Sequence, residues 1–328
     1  MPNFWRQLPR PFTVLAPMDD VTDTVFRDIV ATTARPDVFF TEFTSAQGLF
    51  SPGRDKVITK LRYSQIQRPV VAQIWGARPD FLAQAAILVQ DLGFDGVDIN
   101  MGCPERNVMK MNSGAALIKN EQLAGEIITA VQQAVPQLPI SVKTRLAPSD
   151  QLTTEWLTFL LSHQISALTL HARTAKELSK VDARWVELKQ AVQLRDRLSP
   201  ATVIIGNGDV KSYTEVLEKQ KLFGVDGVMI GRGIFHDPWV FDQTLPAIAH
   251  STKERLALLL KHAQLFDQTW GKTKNFAVMK KFFKMYVKGF AGADELRQEL
   301  MQSKEYQDVS MIIKSFAPKT TDLVTDDT

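Results

Sequence analysis

The chain has 328 residues, 45% of them hydrophobic and 23% charged, with a net charge of +3 and a single cysteine. This is ordinary globular composition, long enough for one large domain and a small one; an internal disulfide is excluded, and the charge is too small to argue for nucleic acid unaided. The opening "MPNFWRQLPRPF" lacks the apolar run of a signal peptide and no later segment approaches the roughly 20 apolar residues of a membrane span, so a cytoplasmic protein is expected.

Eight short β-rich or apolar segments follow one another along the first three quarters of the chain. They are "FTVLAPM" (12–18), "VFFTEFT" (38–44), "PVVAQIWG" (69–76), "GVDINMG" (96–102), "ISVKTRL" (140–146), "ALTLHAR" (167–173), "TVIIGNG" (202–208) and "GVMIGRG" (227–233). Helical patterns such as "RPDFLAQAAILVQDLG" and "NEQLAGEIITAVQQAV" lie between them, and strand–helix alternation of this kind makes parallel sheet. Eight such units predict a (β/α)8 TIM barrel over residues 1–247. A doubly wound open sheet is the competing arrangement; the count of eight and the absence of GxGxxG after the first strand weigh against it. From 248 to 328 the strand rhythm gives way to the helical patterns "KERLALLLKHAQLFDQTW" and "NFAVMKKFFKMYVKGF", predicting a smaller all-helical domain.

Chemistry in such barrels gathers at the C-terminal ends of the strands. Five successive ends carry a polar group there: Gln73, Asn100, Lys143, His171 and Asn207. Each alone could cap a loop, but together they predict one site. Alternation puts Ser141, Lys143 and Arg145 on one face and His171 with Arg173 on another, all aimed at the mouth. A buried ammonium needs a partner, either an anionic or electron-rich ligand or an ion pair with Asp98 or Glu42. The turns "GNGDV" and "GRG" end the last two strands, where backbone N–H groups can cradle a phosphate and Arg232 adds charge. Simple turn chemistry at Asn207-Gly208 would also account for the first of them. Together these features predict a phosphorylated cofactor with an electron-accepting ring; FMN fits, with pyridoxal phosphate as the rival. Cys103, just past the fourth strand and between Gly102 and Pro104, is placed to act as a general acid as readily as a nucleophile rather than to fill the core, and without a neighbouring cysteine or histidine the zinc and protease readings are poor.

The motifs "APMDDVTDTVFR", "TEFTSAQGL", "DINMGCP", "SVKTRL", "LTLHART", "IIGNGDV" and "GVMIGRG", in this order, resemble the tRNA-dihydrouridine synthases, and "MKKFFKMYVKGFAGADELR" resembles their helical domain. The resemblance implies an FMN-dependent enzyme, reduced by NADPH, that reduces uridines of tRNA to 5,6-dihydrouridine. Hydride would pass from the flavin to C6, with Cys103 giving a proton to C5. It further implies that Pro17, Met18, Gln73, Lys143, His171, Asn207, Gly208, Asp209, Gly231 and Arg232 hold FMN, that Asn100, His171 and Arg173 grip the uracil, and that the protein acts as a monomer. The sequence departs from the family pattern at Asn107, often lysine, and in the loop 174–185, "TAKELSKVDARW", which lacks the usual Tyr and Gly.

Six lysines fall between residues 268 and 293 with no acidic residue among them. A helical wheel puts Lys280, Lys284 and Lys288 on one side and Met279, Phe283, Tyr286 and Phe290 on the other, predicting a basic stripe for tRNA phosphates. Two alternatives remain at this stage. One is a flavin barrel acting on a free small molecule, as dihydroorotate dehydrogenases do; the other is an RNA-binding protein without redox chemistry.

Overall fold

The computed structural model describes residues 3–244 and 249–316. Eight parallel strands close on themselves: β1 (Phe12–Leu15), β2 (Val38–Phe40), β3 (Val70–Trp75), β4 (Gly96–Met101), β5 (Ile140–Leu146), β6 (Ala167–Thr174), β7 (Val203–Asn207) and β8 (Gly227–Ile230). Closure comes from β8 pairing with β1, Phe12 opposite Gly227 through Leu15 opposite Ile230, and from β2 pairing with β3. The predicted barrel is therefore closed, and the open-sheet alternative is excluded.

The second strand is shorter than its sequence suggested. It breaks after Phe40 and resumes only at Thr44–Ser45, which pair with Ile74 and Trp75. The Thr41 hydroxyl accepts the Gln73 N–H at 3.1 Å, so a side chain takes a ladder bond there and lifts Phe43 out of the sheet. Short helical turns at Gly48–Phe50, Arg54–Val57, Ile58–Leu61 and Gln65–Gln67 stand between β2 and β3 in place of one long helix.

Helices α1 (Thr24–Ala31), α2 (Pro79–Asp91), α3 (Glu121–Ala134), α4 (Asp150–Ser162), α5 (Val186–Leu198) and α6 (Tyr213–Phe223) ring the barrel. Their starts follow from sequence: Asp23, Asn120, Ser149 and Ser212 cap α1, α3, α4 and α6 by accepting backbone N–H bonds, and Pro79 opens α2. Apolar side chains between strands and helices form one core; a second fills the barrel's lower interior with Phe12, Val14, Phe40, Val71, Val203 and Ile205. Trp5 plugs the lower end against Phe12 and Phe40. Gly227 makes room for this packing, since a Cβ there would come within 2.3 Å of the Phe12 ring. The apolar floor leaves the upper, C-terminal mouth to polar groups.

The junction predicted at 247/248 lies outside the described residues, as does the polar end of the chain. Beyond it, α7 (Thr252–Trp270) begins with a Ser251–Glu254 capping box and packs on α1. Phe282 stacks on Phe26 of α1 at 5.1 Å, and α8 (Ala293–Leu300) and α9 (Tyr306–Ser315) complete the packing. The single amphipathic helix expected around Lys280–Lys288 does not form. Residues Phe276–Phe282 make a 3₁₀ turn, Phe283–Tyr286 a single α-turn, and the chain then leaves the helix at Val287, with Gly289 and Gly292 both at positive φ. The helical run thus ends at Tyr286, short of Lys288, and the turns that follow it use two glycines that favour the left-handed region. Among the described residues no helix is long and apolar enough to cross a membrane.

Candidate active site

The strand ends converge on a cavity of about 730 Å³ at the barrel mouth. Its walls include Pro17, Met18, Gln73, Asn100, Cys103, Lys143, His171, Arg173, Asn207, Gly208, Asp209, Gly231 and Arg232, all named from sequence as site residues. Lys280, Lys284 and Lys288 are not among them. Alternation explains Gln73, Asn100, Lys143, His171, Arg173 and Asn207, since every second residue of a barrel strand faces inward and the last inward positions lie at the mouth; the others sit just past the strand ends.

Side chains across β3, β4 and β5 are tied in a buried ladder. Asn100 Nδ2 donates to Gln73 Oε1 at 2.9 Å, Gln73 Nε2 to Asp98 Oδ2 at 2.7 Å, and Ser141 Oγ to Asp98 Oδ1 at 2.6 Å. Asp98 is thus fully engaged, and Lys143 does not pair with it directly; Lys143 Nζ donates instead to Asn207 Oδ1 at 3.3 Å. Burial raises the Asp98 carboxyl to about 6, against the pull of its two donors and of Lys143. Burial, reinforced by Arg145, lowers the Lys143 ammonium to about 8, with Asp98 opposing. Lys143 has three N–H bonds and spends one on Asn207. The other two are open to the cavity.

Burial first, and then the fields of Lys143, Arg145, Arg173 and Arg232, lower His171 to about 2. The imidazole is therefore neutral at working pH. Its Nε2 lies 3.5 Å from Arg173 Nη1, and because a guanidinium has only donors, this approach suits an Nε2 that accepts. Arg173 is buried and held by Val181 O at 2.6 Å and by the Asp209 carboxylate. Burial raises Asp209, but its bonds from Arg173 and the Ala183 N–H outweigh that and hold it below the usual range.

The Cys103 loop is fixed from three sides. Asn100 Oδ1 accepts the N–H groups of Gly102 at 3.0 Å and Cys103 at 2.9 Å. Arg145 Nε donates to Gly102 O at 2.8 Å, and Ala115 N to Cys103 O at 2.9 Å. Burial pushes the Cys103 thiol above its ordinary value, so it is protonated at neutral pH. Arg145, on Lys143's face but given no role from sequence, also donates to Thr174 O at 3.2 Å and so joins the cysteine loop to the end of β6. Phe43, Lys211, Phe235 and His236 also line the cavity without having been singled out. Lys211 follows the "GNGDV" turn directly, Phe43 falls where the expected second strand is interrupted, and Phe235 and His236 end the short 3₁₀ turn that follows β8.

The two glycine turns interlock at the far side. A Cβ on Gly208, at φ 136°, would lie 2.6 Å from that of Ala183, and one on Gly233 would lie 2.0 Å from Val210 O. Only a bare backbone fits there. Arg232 is largely exposed and lies 4.0 Å from Asp209.

The predicted basic stripe is dispersed by its partners. Lys280 Nζ donates to Met301 O at 2.6 Å, and Lys288 Nζ reaches the carbonyls of Phe235 and His236 on the cavity rim. Lys284 is exposed. Nearby, Lys281 Nζ donates to Asp20 O at 2.7 Å and Lys274 pairs with Asp23 at 3.1 Å. Lys274, Lys281 and Lys288 thus tie the helical segments to the barrel, and Lys280 ties two of those segments to each other.

The dihydrouridine synthase family model matches residues 14–320, almost the whole of this arrangement. The chain belongs to the dihydrouridine synthase family. It is 43% identical over 323 residues to the probable tRNA-dihydrouridine synthase 2 of Bacillus subtilis (strain 168), covering 98% of each chain. It is also 43% identical over 317 residues to a probable tRNA-dihydrouridine synthase of Staphylococcus aureus (strain COL), covering 96% of this chain and 95% of that one. In fold, this family member resembles 6-hydroxypseudooxynicotine amine oxidase from Pseudomonas geniculata N1, with a TM-score of 0.51 at 12% identity over 70% of this chain and 46% of that one.

Proposed function

We propose that this enzyme is an FMN-dependent tRNA-dihydrouridine synthase that uses NADPH as reductant and acts in the cytoplasm. The observation that supports the reading most directly is the placement of Cys103, protonated and clamped at Asn100 and Arg145, on the wall of a cavity that also holds Lys143, His171 and Arg173. All of these groups come from one chain, which suits a monomer.

The residues present fit FMN. The open N–H bonds of Lys143 and the amide of Gln73 offer donors to the pyrimidine edge of an isoalloxazine, and Met18 and Met229 supply an apolar wall. Gly208, Gly231 and Gly233 leave backbone room for a phosphate, with Arg232 and Lys211 as counter-charges. When bound and reduced, FMN supplies hydride to C6 of uracil. Pyridoxal phosphate has no support from the family.

The chain's own residues do the rest. Asn100 and the neutral His171 can hydrogen-bond the uracil edge, and Arg173, braced by Asp209, presents cationic N–H groups where the carbonyl oxygens gain charge. A uridine must leave its stack to enter the mouth. The Cys103 thiol, being uncharged, can approach C5 and give it the proton, and the resulting thiolate regains one from water; the cationic Arg145 beside it favours that thiolate. Uracil thus gains hydride at C6 and a proton at C5, and its double bond is lost.

Cys103→Ala tests this. The variant is expected to bind FMN, accept electrons from NADPH and bind tRNA, while single-turnover reoxidation by unmodified tRNA slows by about 10²- to 10⁴-fold. A rate within a few-fold of the parent's would remove Cys103 from the mechanism. Parent protein that never retains FMN, or that reduces free dihydropyrimidine precursors but not tRNA, would overturn the reading as a whole.

A further inference from the structure

A second cavity, of about 310 Å³, lies beside the catalytic one and shares Phe43 with it. Trp75, at the end of β3, forms another wall, and Glu105 and Asn107, just past Cys103 on the same loop, form the rim with Asp19 and Lys60. Trp75 is only half-buried, and alone of the six tryptophans it makes no ring–ring or cation–ring contact among the described residues. Phe43 likewise has no aromatic partner; only Lys60 Nζ approaches it, 5.8 Å from the ring centroid.

Two unstacked aromatic faces next to a site for an extruded base have a definite use. Pulling one nucleotide out of an RNA loop strips its neighbour of a stacking partner, and aromatic side chains restore one for any base. The charge at the rim says which end of the nucleotide enters. Lys60 is paired with Asp19, and Glu105 adds a further carboxylate, so a phosphate is disfavoured while base N–H groups find acceptors. Asn107 adds no charge to the rim.

We infer that the Phe43–Trp75 cavity is a stacking subsite for the base adjacent to the uridine that is reduced. This rests on the reading of the protein as an enzyme acting on tRNA, and it makes the cavity a determinant of sequence context around the target.

Trp75→Leu keeps apolar bulk and removes the π-face; Trp75→Phe restores it. The probe is an unmodified tRNA transcript carrying 2-aminopurine on the 5′ or the 3′ side of the mapped target uridine. The expected result is a tRNA Kd about 5- to 150-fold weaker for Trp75→Leu, the range of one base–aromatic stack, with Trp75→Phe within a few-fold of the parent. Flavin reduction by NADPH should be equal in all three. Fluorescence of 2-aminopurine at one flanking position should be quenched on binding the parent and not on binding Trp75→Leu. Parent-like affinity and quenching in Trp75→Leu, in an enzyme whose parent reduces tRNA, would overturn the subsite alone. A rise in KM for NADPH with unchanged tRNA affinity would assign the cavity to the reductant's adenine and also overturn it. A parent that reduces no uridine at all would overturn the underlying reading together with this one.

Discussion

Replacing Arg145 by lysine keeps a positive charge beside Cys103 but cannot keep both of its connections. The guanidinium donates through Nε to Gly102 O and through Nη1 to Thr174 O, a fork that a single ammonium cannot reproduce. A hydrogen bond from a charged donor contributes about 1.5 to 3 kcal/mol, and Gly102 is buried. If that energy holds the cysteine loop in its productive position, its loss depopulates the position by roughly 10- to 150-fold, at about 1.4 kcal/mol per tenfold. Single-turnover reoxidation of reduced enzyme by unmodified tRNA should slow by that factor, while reduction of the flavin by NADPH stays within about twofold. The rate of Cys103 alkylation against pH provides a readout of electrostatics: the midpoint should hold in Arg145→Lys and move upward in Arg145→Gln, because the guanidinium lowers the thiol's pKa. Lysine restoring full reoxidation where glutamine does not would refute the reasoning, since charge alone would then account for Arg145.

Asp98 carries a stability signature. Its folded pKa of about 6 lies above the ordinary carboxylate value, so the native state takes up a proton before the unfolded state does, and the cost of the buried charge is present at pH 7 and relieved as pH falls through 6. Urea unfolding of Asp98→Asn and parent is therefore expected to show a difference that shifts in the parent's favour between pH 7 and pH 5; a pH-independent difference would contradict the buried charge. Gly208→Ala should lose FMN retention and about 1 to 3 kcal/mol of stability, because its φ of 136° and the 2.6 Å approach of Ala183 exclude a Cβ; a parent-like melting temperature and flavin content would count against it. For the lysines, Lys284→Gln should lower the slope of log tRNA affinity against log salt by about 0.7 to 0.9 without changing thermal stability. Lys288→Met should instead lower thermal stability, since it bonds the rim carbonyls of Phe235 and His236. The reverse pattern in melting curves and salt titrations would reinstate the basic stripe.

The sequence by itself determined the barrel and the composition of its mouth. Strand period and glycine punctuation act within a few residues, so eight β-segments and the inward positions Gln73, Asn100, Lys143, His171 and Asn207 could be read locally. The motif order around Cys103 added the family. What only the tertiary structure decided depends on which loops meet. Lys143 could have paired with Asp98, Glu42 or a ligand, and closure of the barrel brought Asn207 to it while Ser141 and Gln73 took Asp98. The wheel of Lys280, Lys284 and Lys288 assumed one helix where the chain makes a 3₁₀ turn and a single α-turn ending at Tyr286, and the carbonyls that bind Lys280 and Lys288 lie 21 or more residues away in the chain. Arg145's junction with Gly102 and Thr174, and the meeting of Phe43 and Trp75 on the wall of one cavity, join residues 29 to 43 positions apart. Such contacts are set by barrel closure and loop packing, and a local periodicity carries no record of them.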